Sequence, residues 1–261
     1  MRQQRANRDI VYLMLSVLSV ATILAVWFAV TNLGLVGAKV LPTPQAIFVE
    51  FRNLLATGYT GKPLWAHVEA SLLRTLVGLA ASLLIGIPVG LLIGSSPVLA
   101  ALFNPIFSFL RPVPAIAFIP LIILYFGIGE FSKVVIIFVS ATLYVILNAS
   151  AGVKSVPNDL LRAGLNMGLS RRQLFLYVIL PAAAPSVMTG IKTATAISWA
   201  LVVAAELIAA QVGLGYMIMD AATFYRIPDV YIAIIIIGVI GLALELLETA
   251  FENRFIHWQG R

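Results

Sequence analysis

No Asp, Glu, Lys or Arg occurs from Ile10 to Ala38, from Thr75 to Leu110, from Pro112 to Gly129, or from Val134 to Val153. Uncharged, non-alternating stretches of this length predict transmembrane helices: a bilayer core takes about 20 apolar residues per helix, whereas barrel strands read as short alternating segments. The run from Thr75 to Leu110 covers 36 residues. As one helix it would measure about 54 Å against a hydrocarbon core of about 30 Å, so the chain turns within it. Ser95-Ser96-Pro97 is the corner. The pattern predicts an all-α, polytopic membrane fold with six spans at about 10 to 31, 66 to 94, 98 to 126, 132 to 155, 181 to 209 and 229 to 251. The third span is irregular, because Pro112, Pro114 and Pro120 remove backbone donors and free carbonyls that cannot face lipid.

Composition agrees: 61% of residues are hydrophobic, 11% are charged and the mean hydropathy is +1.02, outside the range of a soluble domain. The basic start (Arg2, Arg5, Arg8), apolar run and Val36-Gly37-Ala38 imitate a secretory signal. The run is too long for one, and further spans follow it. With no cysteine there is no disulfide and no thiolate metal site, and no metal site is expected. The net charge of +6 is spread around membrane ends and carries no nucleic-acid signal.

An even number of spans puts both termini on one side, with Arg2, Arg5, Arg8, Lys154, Arg162, Arg171, Arg172, Arg254 and Arg261. Lys39, Arg52, Lys62, Lys133 and Arg226 fall on the other. The excess of Lys and Arg makes the first side cytoplasmic. On the outer side Thr43 can cap, and Pro44 start, an interfacial helix over 44–57 whose Ile47, Phe48, Phe51, Leu54 and Leu55 share a face, ended by Gly58. Anchoring on the membrane explains it, and docking of a partner is a second reading.

The cytoplasmic segment 156–180 is built to be stiff. Pro157 ends the fourth span, Asn158 or Asp159 can cap a short helix containing Leu160, Leu161, Arg162, Ala163 and Gly164, and Gly168 stops it. Ser170 and Gln173 have capping-box spacing for the next helix, into which Leu180, Pro181 and Pro185 fall. An ordinary interfacial turn is one reading. A rigid helix held parallel to the membrane for a soluble partner is the other.

At this point the sequence resembles a family. Gly168, a nine-residue spacer, then Val178, Leu180 and Pro181 are similar to the cytoplasmic-loop motif of binding-protein-dependent ABC transporter permeases, written Glu-Ala-Ala, three residues, Gly, nine residues, Ile-x-Leu-Pro. Arg162-Ala163-Gly164 stands where Glu-Ala-Ala would be, so only Ala163 fits that triplet. The blocks LPTPQAI, SLLRTLVGLAASLLIGIPVGLLIGSS, LRPVPAIAFIPLIILYFGIGEFSKV, AGVKSV, VILPAAAPSVMTGIKTA and WALVVAAELIAAQVGLGYMI resemble the nitrate, sulfonate and taurine branch. AGVKSV, VAAELIAA and the tail HWQGR are most similar to taurine permeases.

The resemblance implies a single permease domain over 1–261, with a cytoplasmic tail 1–9 and a coupling loop 156–180, in the bacterial inner membrane. It implies a homodimer lining the pathway, two cytoplasmic ATPases that hold ATP and Mg, a periplasmic substrate-binding protein, and taurine or a related organosulfonate as cargo. Nitrate, bicarbonate or another small solute is the alternative. The sequence agrees by omission: Gly213-Leu214-Gly215 lacks the lysine and hydroxyl of a phosphate loop, so this chain carries no catalytic site and no cofactor.

Charges inside spans are candidate functional residues. Arg74 and Glu206 lie toward the outer ends of spans two and five and are read as a mutual structural pair. Arg111 and Lys192 fall near mid-membrane, with no obvious acidic partner, and suit an anion's transit path. In the blander reading Arg111 satisfies carbonyls freed by the prolines, and Lys192 packs or snorkels. Trp27, Trp199 and the Phe-rich stretch 103–109 read as packing or interface residues. A secondary transporter would carry polar coupling residues deep in its spans and need no docking loop. An intramembrane hydrolase is disfavoured, since His67 and His257 lie at opposite membrane ends and no serine sits in G-x-S-x-G.

Overall fold

The corner expected at Ser95-Ser96-Pro97 separates α3 (Leu64–Ser95) from α4 (Pro97–Leu110) in the computed structural model of the chain. Ser96 Oγ accepts from the Leu99 N–H at 3.4 Å, and Pro97 takes the first helical position, where no N–H is needed. The prolines after Leu110 then act as expected. Across Arg111–Pro114 the chain bends by 89° into a segment that opens with a 3-10 turn, Ala115–Phe118, and continues as α5 (Ile119–Phe126).

The structure describes residues 2–37 and 40–256. Ala38, Lys39, His257 and the rest of the HWQGR tail, with Arg261, lie outside the described residues. The remaining helices are α1 (Arg2–Asn32), α2 (Pro44–Thr57), α6 (Glu130–Lys154), α7 (Asn158–Asn166), α8 (Arg171–Leu174), α9 (Leu180–Ala209), α10 (Leu214–Thr223) and α11 (Ile227–Phe255), with a π-helical turn, Phe175–Ile179, between α8 and α9. Among the described residues five helices are long and apolar enough to span a bilayer, and the bent pair α4–α5 supplies a sixth if taken as one span.

Three boundaries differ from expectation. α1 begins at Arg2 rather than near residue 10, since arginines are good helix formers and no breaker precedes the apolar run. α11 continues to Phe255 rather than ending at 251, for the same reason. The loop expected after the fifth span contains α10.

The chain divides into two compact units, residues 1–64 with 217–234 and residues 65–216 with 235–261. In the first, Thr43 Oγ1 accepts from the Ala46 N–H at 3.1 Å, and Pro44 starts α2. Gly58, at φ +76°, ends α2 by donating to the Leu54 carbonyl. Of the face expected there, Ile47 and Leu54 are buried while Phe48 and Leu55 are exposed. Trp27 Nε1 donates to the Pro42 carbonyl at 3.1 Å, and its ring lies 6.3 Å from that of Tyr231. Tyr59 OH donates to Asp220 at 2.8 Å and accepts from Arg226 Nη2 at 2.7 Å. Burial, followed by the bond to Asp220, pushes that hydroxyl above its ordinary range, which keeps it a donor.

In the second unit α6 is packed by α3 and α9 through small residues, which let backbones approach where lipid offers no competing hydrophobic drive. A Cβ on Gly90 would sit 2.7 Å from that of Ala149, and one on Gly152 would sit 2.7 Å from that of Ser186. Ala141, Ala149, Ala183 and Ala194 are fully buried in these seams.

Candidate functional site

The segment after α6 folds as the stiff elbow its sequence predicts, with two differences. Neither Asn158 nor Asp159 caps α7; Pro157 flanks the helix. Its carbonyl accepts from Leu160 and Leu161 at 3.1 and 3.4 Å. Asp159 instead occupies the first turn, where the helix dipole favours an anion. The second difference is the π-helical turn at Phe175–Ile179. Pro181 crowds the carbonyl of Tyr177, four residues back, and the wide turn that contains Tyr177 relieves the ladder without breaking the helix. α8, the π turn and α9 together form one apolar stretch from Arg171 to Ile208.

Three local devices fix the elbow. Gly168 adopts φ +79°, donating to Leu165 O at 2.9 Å while Leu169 N donates to Gly164 O at 3.1 Å, which closes the end of α7. Ser170 and Gln173 exchange side-chain bonds with each other's backbone N–H at 2.9 and 3.3 Å, the expected capping box. Gly164 is buried, and a Cβ there would approach Leu174 Cδ1 to 2.6 Å and Val178 Cγ2 to 3.5 Å. The glycine that departs from the family triplet is therefore the contact by which α7 lies against the following helix. Beside Gly164, Leu160, Ala163 and Met167 follow i, i+3, i+7 spacing along one side and are exposed, Met167 by 82%. Leu180 packs inward with Phe175 and Ile179 on Ala149, Val153 and Ala183, so the elbow is continuous with the seam of α6 and α9.

Arg74 and Glu206 are brought together, both buried, and Arg74 also holds Glu130 through Nε and Nη2, the latter at 2.8 Å. Arg74 Nη1 donates to Val212 O at 2.7 Å. Glu206 accepts from the Gly215 N–H at 2.9 Å, and Ser71 Oγ lies 2.8 and 2.9 Å from its two oxygens. His67, fully buried, is bonded to Gly213 at 3.3 Å. Lys133 donates to Glu130 at 3.0 Å. The buried ions thus have several partners each, as they need when removed from water. Sequence reading missed Glu130 and the turn 210–213 with the start of α10. Gly213 and Gly215 were the available signal, since a Cβ at either would collide with the Glu206 side chain.

Arg111 and Lys192 do not share a setting. Arg111 ends α4 at the 89° bend, its backbone N–H donating to Phe107 O at 2.9 Å, and is exposed, its side chain having no hydrogen bond or ion pair among the described residues. It therefore does not satisfy the carbonyls freed by the prolines. Lys192 has an acidic partner after all: its ammonium pairs with Glu252 and donates to Thr249 Oγ1 at 3.2 Å. Glu252 was overlooked because the last span was expected to stop at 251. Residue 192 stands 21 positions after Arg171 and 16 before Ile208, close to the middle of that stretch, and meets α11 near the end that carries Arg254. Trp199 is buried and donates from Nε1 to Ile237 O at 3.1 Å, a packing role, and Phe103 stacks on Phe107 at 6.0 Å.

Among the described residues no group of three or more His, Cys, Asp or Glu could hold a metal ion.

Residues 86–257 match the sequence profile of the family described as "Binding-protein-dependent transport system inner membrane component". The chain is 39% identical over 247 residues to the taurine transport system permease protein TauC of Escherichia coli (strain K12), covering 94% of this chain and 90% of that one. It is 33% identical to the nitrate import permease protein NrtB of Synechocystis sp., covering 82% and 79%. Its fold is similar to that of a chain in inward-facing MetNI methionine ABC transporter crystals, with a TM-score of 0.65 at 20% identity over 76% of this chain and 96% of that one. An elbow with its Gly and Leu-Pro in family register, on a fold of this kind, places the chain in the family of binding-protein-dependent transport system inner membrane components, the permeases of ABC transporters.

Proposed function

We propose that this permease serves an ATP-driven importer of a small organosulfonate such as taurine. It works as a homodimer in the bacterial inner membrane, with both termini cytoplasmic, two cytoplasmic ATPases and a periplasmic binding protein. ATP and Mg are held by the ATPases, and this chain performs no hydrolysis. The observation that carries the reading is α7, a helix held in a fixed elbow at Gly164 while Leu160 and Ala163, with Met167 at its end, stay exposed beside that contact. Such a face suits a groove on a soluble partner, and its rigid connection to α6 and α9 lets a push on α7 tilt both spans. Arg111 and Lys192 flank the pathway in this scheme. Arg111, unpaired at the bend, offers its charge to a passing anion.

The similarity to both taurine and nitrate permeases leaves cargo to be decided by chemistry. Reconstitution of permease, ATPase and binding protein in proteoliposomes tests the reading. Taurine uptake should require ATP and stop on its depletion. Uptake driven by an ion gradient without ATP would replace the importer with a secondary transporter, and transport of nitrate or bicarbonate in preference to taurine would replace the cargo.

A further inference from the structure

A cleft of about 500 Å³ opens between α9 and α11 in the second unit, lined by Lys192, Thr195, Trp199, Gly241, Glu245 and Glu248 among others. That volume suits a small-molecule site. Glu245, Glu248 and Glu252 lie at i, i+3 and i+7 on α11 and so share one side of the helix. Only Lys192 answers them. Its ammonium is taken by Glu252 and Thr249, leaving the third of its donors for another acceptor. Glu248 receives the Thr195 hydroxyl, and the Glu245 carboxylate has no hydrogen bond or ion pair among the described residues. The cleft therefore carries two carboxylates more than its one lysine can neutralise, within a span where an unanswered charge is costly.

A simple anion such as nitrate or bicarbonate would add to that negative charge. A zwitterion would relieve it. We propose that the α9–α11 cleft is a transit site for a zwitterionic aminosulfonate: Glu245 and Glu248 take the substrate ammonium, with the Trp199 ring beside it, and Lys192 takes the sulfonate. Lys192 stands three residues, or about 4.5 Å of helical rise, from Thr195, which holds Glu248, a spacing that suits opposite charges separated by two carbons. Gly241 leaves the cleft open, since a Cβ there would already sit 3.4 Å from the Trp199 ring. This inference rests on the organosulfonate reading and narrows it to substrates bearing an amine.

The test uses the permease–ATPase complex in nanodiscs without binding protein, with radiolabelled taurine as probe and ethanesulfonate, which lacks the ammonium, as competitor. Taurine should bind saturably, and ethanesulfonate should compete about tenfold or more less well. Glu245→Gln and Glu248→Gln should each weaken taurine binding by about tenfold, the loss expected when a charged hydrogen-bond partner is removed. Gly241→Leu should abolish binding by filling the cleft. Glu245 is exposed, so Glu245→Gln tests the site without threatening the fold, and an unchanged melting temperature confirms that. Absence of saturable taurine binding, equal competition by ethanesulfonate, or undiminished affinity in Glu245→Gln overturns the proposal. Taurine uptake that persists at wild-type rates in the cleft variants overturns this inference alone, whereas a wild-type importer that carries no taurine overturns the organosulfonate reading together with it.

Discussion

Gly164 of α7 stands against Leu174 of α8, where a Cβ would come within 2.6 Å of Leu174 Cδ1. Because that atom is the end of a flexible side chain, one methyl is tolerable and a branched side chain is not. Gly164→Ala, the residue of the family triplet at this place, should keep uptake within about twofold. Gly164→Val should pry α7 from α8 at a cost of about 1–3 kcal/mol for overpacking and reduce uptake per ATP hydrolysed. Equal coupling ratios for the two variants would show that this contact does not hold the elbow.

Gly168 holds φ +79° and donates to Leu165 O. Proline there fixes φ near −65° and removes the donor, opening the end of α7. Gly168→Pro should reach the membrane and bind the ATPase, yet hydrolyse ATP without uptake. Reversing the charges of Asp159 and Arg162 together should uncouple in the same sense and more weakly. Normal uptake in either variant with wild-type ATPase stoichiometry would remove the coupling role.

Arg74 and Glu206 form a buried pair with Glu130 as a second carboxylate. Arg74→Met strands Glu206 and should lower stability by about 3–5 kcal/mol, read as a fall in melting temperature. Adding Glu206→Leu to Arg74→Met should recover part of the loss, because the stranded charge is gone. Strictly additive losses in this double-mutant cycle would mean the two residues do not act as a pair.

Lys192 is partly exposed and paired with Glu252. Lys192→Gln should reduce taurine uptake severalfold while shifting the melting temperature by only a degree or two, since a partly exposed pair contributes about 0–1 kcal/mol. Uptake and thermal stability should be measured on one preparation. Lost stability with unchanged uptake would assign Lys192 to structure and not to the pathway.

What could be read from sequence was what is local. The Thr43 cap, the Ser170–Gln173 box, the Gly168 stop and the proline break before α5 each depend on a few neighbouring residues, and each is where it was expected. The cap expected from Asn158 or Asp159 failed because Pro157, already extended, could serve as the flanking residue. The π turn escaped notice because two prolines four apart admit several ways of relieving the ladder. Partners were hidden for a different reason. Glu130 reaches Arg74 across 56 positions and Glu252 reaches Lys192 across 60, distances over which residue spacing says nothing. α10 was missed because its apolar residues continue those of α9, and only the glycines between them mark the turn.

The chain contains no cysteine, so a single introduced thiol is the only one, and this permits the most direct test of whether α7 receives the ATPase. α7 follows the Lys154 end of α6, whereas α5 precedes its Glu130 end, which puts Ala163 and the exposed Leu124 near opposite ends of that helix. Ala163→Cys and Met167→Cys, treated with a short bifunctional maleimide in the assembled transporter carrying one accessible ATPase thiol, should cross-link to the ATPase and stop uptake, while Leu124→Cys should do neither. Cross-linking from Leu124→Cys, or its absence from both α7 positions in an assembled complex, would contradict the account.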